Sequence, residues 1–320
     1  MREASYLAQN EKKWRRVEAL LDKNQLISSD ESASLFIELT DDLSYAQTHY
    51  PDSPTTEYLN RLAIGIFRRI NKTRKKRENG FVNFWKLEVP HAIIRNQKAM
   101  LFSLVFFTFF ALLGAFSTHY DEEYPRYVLG DDYVETTLKN IKDGDPMAIY
   151  KDSGQEGMFW SITLNNLRVS AMTFMAGIFV CFGTCYFLFK NAIMLGSFQY
   201  FFVTKGLFLD SFLAIWIHGT IEISCIVIAG AAGIILGKSF MFPGTLSRKA
   251  SFLQGSKDAV VIFLSIVPLI ILAGFLESFV TRLTEAPTVF RLLIIGGSLF
   301  LILFYYVFYP HKLKKELNLA

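Results

Sequence analysis

The sequence predicts an all-α polytopic membrane protein, a transmembrane helical bundle of about six spans preceded by an N-terminal cytoplasmic helical domain. Three observations predict it. Of the 320 residues 52% are hydrophobic, and 31 are Phe. These residues are gathered in runs: nearly every position from Ala99 to Ser117 is apolar or small, about the 20 residues a helix needs to cross ~30 Å of hydrocarbon. Basic residues stand in short blocks beside the runs instead of covering one face, so a nucleic-acid surface is not expected.

The apolar segments are 99–118, 167–189, 191–206, 208–237, 259–281 and 289–309. The third is short and holds Gly196, Gln199 and Lys205, so it either crosses with help from its neighbours or re-enters. Charge arbitrates, because cytoplasmic loops carry excess Lys and Arg near span ends. Arg68, Arg69, Lys72, Arg74, Lys75, Lys76, Arg77, Arg95 and Lys98 precede the first span and place residues 1–79 inside. The loop 119–160 then lies outside, with ten acidic residues against four basic ones. If 191–206 crosses, Lys238, Arg248, Lys249 and Lys257 fall inside, as does the tail 311–320 with Lys312, Lys314 and Lys315. Six crossings with both termini cytoplasmic satisfy the rule best. The N-terminus lacks the apolar core of a signal peptide, so the first span is expected to act as the insertion signal.

Within the head, Trp14, Val17, Leu20 and Leu21 repeat at helical spacing. A second helix is expected after Ser29, with Ser32 as an alternative cap, up to Tyr50, and a third from Thr55 to Arg69 with Leu59, Leu62, Ile66 and Ile70 on one face. The run RRINKTRKKR at 68–77 reads as a positive-inside anchor. Residues 80–98 read as an interfacial amphipathic segment broken near Pro90, with Phe81, Phe84, Trp85 and Ile93 among polar residues.

The informative residues are polar ones inside apolar runs, since an ionisable group at mid-span needs a partner, water or a function. His218 and Glu222 are four apart and share a helix face, which continues through Cys225, Ala229, Gly233 and Gly237. Such a small-residue stripe admits close helix approach, either within one chain or between two copies. Asn166, Ser170, Thr173, Gly177, Cys181 and Thr184 form a second stripe. The topology brings Asn165, Asn166, Arg168, His218, Glu222 and Glu277 toward the outer half of the membrane, with Arg168 the expected counter-charge. The cluster reads as a polar clamp between helices or as a proton-responsive or substrate-coordinating site.

No catalytic residue is legible. The sequence HGTIE lacks the second histidine of a zinc-hydrolase motif, no further ligand set is evident, and phosphate-loop, nucleophile-elbow and dinucleotide patterns are missing. Neither a metal nor a cofactor is expected. Cys181, Cys185 and Cys225 lie in apolar segments as small packing residues.

Four stretches carry a family resemblance: NNLRVSAMTFMAGIFVCFGT at 165–184, KNAIMLG at 190–196, IHGTIEISCIVIAGAAGIILG at 217–237 and GFLESFVT at 274–281. Together they resemble the stage II sporulation protein M family of bacterial membrane proteins, over residues 80–310. By position the signature falls on Asn165, Asn166, Gly177, Asn191, Gly196, His218, Gly219, Glu222, Gly233 and Glu277, with Ala192 where Gly is usual and Ile217 where Pro is common. The resemblance implies a scaffold of the bacterial inner membrane that organises envelope-associated proteins without being an enzyme. The alternative is a transporter, permease-like subunit or lipid-translocating protein using His218, Glu222 and Glu277. Expected partners are the lipid bilayer and other membrane or envelope proteins.

Overall fold

The computed structural model describes residues 2–22, 29–76, 80–145, 155–282 and 286–316. Every regular element among them is helical. The chain divides into two compact units, one up to Asn83 and one from Phe84 onward.

The first unit packs α1 (Glu3–Asp22), α2 (Ser29–His49) and α3 (Pro54–Lys76), and ends in the single turn α4 (Gly80–Asn83). Its core joins Tyr6, Trp14 and Val17 of α1 to Leu39 and Ala46 of α2 and Leu59, Leu62 and Ile66 of α3. The third helix continues seven residues past the expected end at Arg69, carrying most of the basic run in helical form. Asp42 anchors the core's polar edge: Trp14 Nε1 donates to its carboxylate at 2.8 Å, Tyr6 donates to its backbone carbonyl at 2.9 Å, and Lys13 pairs with it. Burial pushes the Tyr6 hydroxyl up to about 12. At the opposite corner the Glu3 carboxylate accepts from Ser53 and, at 2.7 Å, from Thr55, which holds it below the usual carboxylate value of 4.5. A depressed carboxylate stabilises the fold above its unfolded pKa, and that contribution fades as pH falls through the folded value. Glu3→Gln is therefore expected to speed hydrogen exchange of the α1 peptides at pH 7, and the difference from wild type is expected to shrink as pH falls below the usual carboxylate value.

The second unit begins with a π-helical turn, Phe84–Glu88, then α5 (Val89–Arg95) and α6 (Gln97–Tyr120). Next come two short helices, α7 (Tyr124–Leu129) and α8 (Asp131–Lys142), then α9 (Gln155–Met175), α10 (Phe182–Thr204) and α11 (Phe208–Met241). The unit closes with α12 (Arg248–Phe275) and its π-helical extension Leu276–Val280, α13 (Thr288–Leu303), a third π-helical turn at Phe304–Phe308, and α14 (Tyr309–Glu316). Among the described residues four helical segments are long and apolar enough to cross a membrane: Gln97–Tyr120, Phe208–Met241, Arg248–Val280 and Thr288–Glu316.

The structure corrects the expected segments 167–189 and 191–206. The break falls not at Lys190 but at residues 176–181, where a 3₁₀ turn runs into Val180 and Cys181 with φ of 56° and 66°. That left-handed pair reverses the chain, and Thr184 Oγ1 donates to the Thr173 carbonyl to close the turn. Lys190 and Asn191 sit inside the continuous α10, where Asn191 satisfies itself by donating to the Phe187 carbonyl, and the doubtful third segment is a 23-residue helix. Residues 80–98 differ too. Pro90 lies in the first turn of α5, where a missing N–H costs nothing, and the break comes at Asn96 (φ −120°, ψ 24°). Instead of facing headgroups, Val89, Ala92 and Ile93 are buried in the bundle core. At this end Asp258 accepts from Arg95 at 3.0 and 2.5 Å and from Asn96 at 3.0 Å. Residues 309–316 likewise remain helical, with Pro310 and Leu313 buried.

α11 is the central helix. Of its most apolar stretch 78% is buried, against 22% for α6. Contacts along its length fix directions: Gly233 beside Thr173 and Thr184, Gly230 beside Leu188, and Ser211 accepting from Gln199. α9 therefore runs parallel to α11 and α10 antiparallel to it, while Thr118 bonded to Ser197 and Gly196 seated on Ala111 set α10 parallel to α6.

The approaches are at van der Waals limits. A Cβ at Gly177 would lie 2.0 Å from the Gly233 carbonyl oxygen, and one at Gly196 would lie 1.8 Å from that of Ala111. Gly237 sits against Gly177 and Cys181, and Ala229 is fully buried. Gly219, expected with these residues to be a helix-packing position, differs from them, since a Cβ there would meet only ordinary contacts at 3.5 and 3.8 Å. Gly177→Ala is expected to lower the thermal midpoint in detergent, by about 1–3 kcal/mol of overpacking. Gly296→Ala, with nothing within 4 Å, is expected to leave it unchanged or raise it.

Candidate functional site

The polar residues singled out in the apolar runs separate into two sets. His218, Glu222 and Glu277 come together. His218 and Glu222 occupy one face of α11, one turn apart, and the π-helical turn Leu276–Val280 carries Glu277 up to them. His218 Nε2 lies 3.9 Å from Glu277 Oε1, with the two side chains only 5% and 13% exposed. On the other side of the ring, Nδ1 lies 3.0 Å from Thr281 Oγ1, and that hydroxyl donates to the Leu276 carbonyl at 3.3 Å. Asn166 of α9 donates its side-chain amide to Glu222 Oε1. One donor atom from each of His218, Glu222 and Glu277 lies within 4.8 Å of the others, a grouping that can hold a metal ion.

The second set stays outside. Arg168 is exposed on α9, as is Asn165. The reason is angular: two residues past Asn166 a helix has turned about 200°, so Arg168 faces away from Glu222. The expected counter-charge does not reach the carboxylates. Asn165 keeps a place at the edge, because it lines the cavity that leads to the cluster.

That cavity measures about 500 Å³ and is bounded by α6 to α12. His218, Glu222, Asn165, Asn166, Ser170 and Asn191 are its polar lining, and Phe107, Leu195, Phe198 and Ile270 are among its apolar walls. Val128, Leu129 and Tyr133 of α7 and α8 close one side. Arg126 pins these two helices together through Glu123, Asp131 and Glu135. Thr281 and Asn191 shape the site without having been singled out for it, Thr281 because a threonine near a span end carries no signal in a single sequence.

Asn166→Ala removes the amide that reaches Glu222 and is expected to destabilise the bundle by about 1–3 kcal/mol, read as a lower thermal midpoint in detergent. Asn165→Ala is expected to have less effect.

A chain whose described regular elements are all helical, with four apolar helices of spanning length among them packed around a buried polar cluster, is an integral membrane protein. Comparison with known families agrees and is more specific: the pattern described as Stage II sporulation protein M matches residues 103–282. That is more than half of the chain, which belongs to this family. A second pattern, described as a domain of unknown function (DUF8413), matches residues 4–72 in the first unit. No curated protein and no solved structure matches the chain.

Proposed function

We propose that this protein is a non-enzymatic assembly factor of the bacterial cytoplasmic membrane that gathers envelope-associated membrane proteins around a rigid helical frame. One observation carries the reading. Arg168 is exposed on α9 within a stripe that also exposes Trp160, Leu164, Met172 and Met175. Thr163 lies against Gly274 of α12, and Phe174 stacks on Phe263. Arg168 is therefore level with the middle of the apolar run of α12. A cation facing lipid at that depth costs at least ~2.5–3.5 kcal/mol, and an anionic group on a partner's membrane helix offsets it. Lys190, exposed on α10, repeats the situation.

The scaffold reading includes six crossings, by α6, α9, α10, α11, α12 and α13, with both termini in the cytoplasm. Its support is that α9 and α10 run alongside α11 in opposite directions, and that the basic residues around Arg95, Lys238 and Lys249 then share the inner face. The head of residues 1–79 would add a second docking surface inside, and α7 and α8 a third outside.

The cavity beside His218 and Glu222 favours a second reading, a transporter or lipid-translocating subunit. Crosslinking capture from native membranes separates the two. For the scaffold, Arg168→Leu at equal membrane abundance is expected to reduce the captured set at least tenfold, and deletion of residues 2–79 to remove a different subset. Unchanged capture in both, with lipid or solute movement in liposomes abolished by Glu222→Gln, would replace the scaffold by the transporter.

A further inference from the structure

Two carboxylates and an imidazole share one buried corner of the bundle, and a polar clamp built of hydrogen bonds alone does not need that combination. We propose that His218, Glu222 and Glu277 are the ligands of a single divalent transition-metal cation, a site that staples α11 to the π-helical end of α12. The proposal stands apart from the scaffold reading and would hold equally for a transporter.

The donor chemistry is the first argument. One imidazole nitrogen with two carboxylate oxygens is a borderline set suited to Zn²⁺, Mn²⁺, Fe²⁺ or Co²⁺, whereas Mg²⁺ and Ca²⁺ prefer oxygen alone. The three donors already lie within 4.8 Å of one another. Ligands at ~2.0–2.2 Å from a tetrahedral ion are roughly 3.4 Å apart. The remaining gap of about 1–1.5 Å is on the scale of side-chain rotations.

Charge is the second argument. Two ionised carboxylates side by side in a low-dielectric interior repel each other, and a neutral imidazole cancels neither. One divalent ion cancels both, leaving a site of zero net charge, the cheapest state inside a membrane.

The third is the outer ring of hydrogen bonds. The Thr281 hydroxyl gives its proton to the Leu276 carbonyl, so it accepts from His218 Nδ1–H. This selects the tautomer whose lone pair is on Nε2, the nitrogen that faces Glu277. Metal-bound histidines are oriented in this way through their second nitrogen. Asn166 does the same for Glu222 by donating to Oε1. Finally, the 500 Å³ cavity reaches His218 and Glu222, giving the ion an access route and room for a water as fourth ligand.

The experiment uses the full chain in detergent micelles, stripped with chelator, dialysed free of it, and titrated with Co²⁺ as a spectroscopic probe. The expected result is one Co²⁺ per chain with visible ligand-field bands, displaced by Zn²⁺, and a thermal midpoint that rises on metal addition. Glu277→Gln is expected to abolish the bands. Thr281→Val, which keeps all three donors but loses the hydroxyl, is expected to weaken binding about 10–100-fold. Substoichiometric binding by wild type overturns the proposal, and the carboxylates then share a proton. So does binding that Glu277→Gln leaves unchanged. Should Glu277→Gln fail to fold, the wild-type spectrum and Thr281→Val decide. Sulfur-to-metal charge-transfer bands would put the ion on cysteine, and wild-type affinity in Thr281→Val would remove His218 from the ligand set. Either outcome defeats the assignment.

Discussion

From Ser211 to Gly237 no residue of α11 is exposed, and the rest of the bundle follows from that constraint. A helix surrounded on all sides must present small residues wherever a neighbour's backbone comes close and a satisfied polar group wherever a side chain is not apolar. Gly233 and Gly237 meet the first demand, against the backbone carbonyls of Thr173 and Gly177, and Gly230 makes room for the Leu188 side chain. His218 and Glu222 answer the second at the other end of the helix, where Thr281 and Asn166 reach them. The glycine end sets how closely α9 and α10 can approach, and the polar end sets their rotation, because Asn166 must point inward. Ser103 adds a third fix by donating to the Val227 carbonyl at 2.7 Å, which binds α6 to the middle of the same helix.

The long uninterrupted runs were legible because crossing a bilayer demands length and apolarity together, and α6, α11, α12 and α13 have both. The α9–α10 reversal was not. Its left-handed residues are Val180 and Cys181, types that carry no turn signal, whereas the polar pair Lys190–Asn191 imitates a boundary while lying inside a helix. The same limit shaped the reading of the site. Helical spacing puts His218 and Glu222 on one face from sequence alone. Whether Glu277 joins them depends on a π-helical turn that leaves no mark in composition, and the rotation of Arg168 away from Asn166 matters only once the face of α9 is known. Glu277 was placed in the cluster from topology alone; what stayed hidden was the turn that delivers it, and the counter-charge was misplaced.

The first unit follows different physics. Its core is built from aromatic and aliphatic residues of three amphipathic helices around Trp14, with Asp42 taking hydrogen bonds from two aromatic side chains. Nothing in that core requires lipid. Two separate family patterns match the two units.

The turn Leu276–Val280 has a consequence for how such a site is gained and lost. A π-helical turn holds one more residue than the α-helical turn it replaces, so the spacing that lets Glu277 and Thr281 grip opposite edges of one imidazole is a property of chain length as much as of side-chain identity. Removing a single residue from this turn restores α geometry and changes which side chains the turn presents to His218, while the helix beyond it keeps its register. In a lineage of related chains, an insertion or deletion here would switch the corner between a ligand-bearing and an ordinary apolar contact in one step, while every residue of the α11 pair stayed in place.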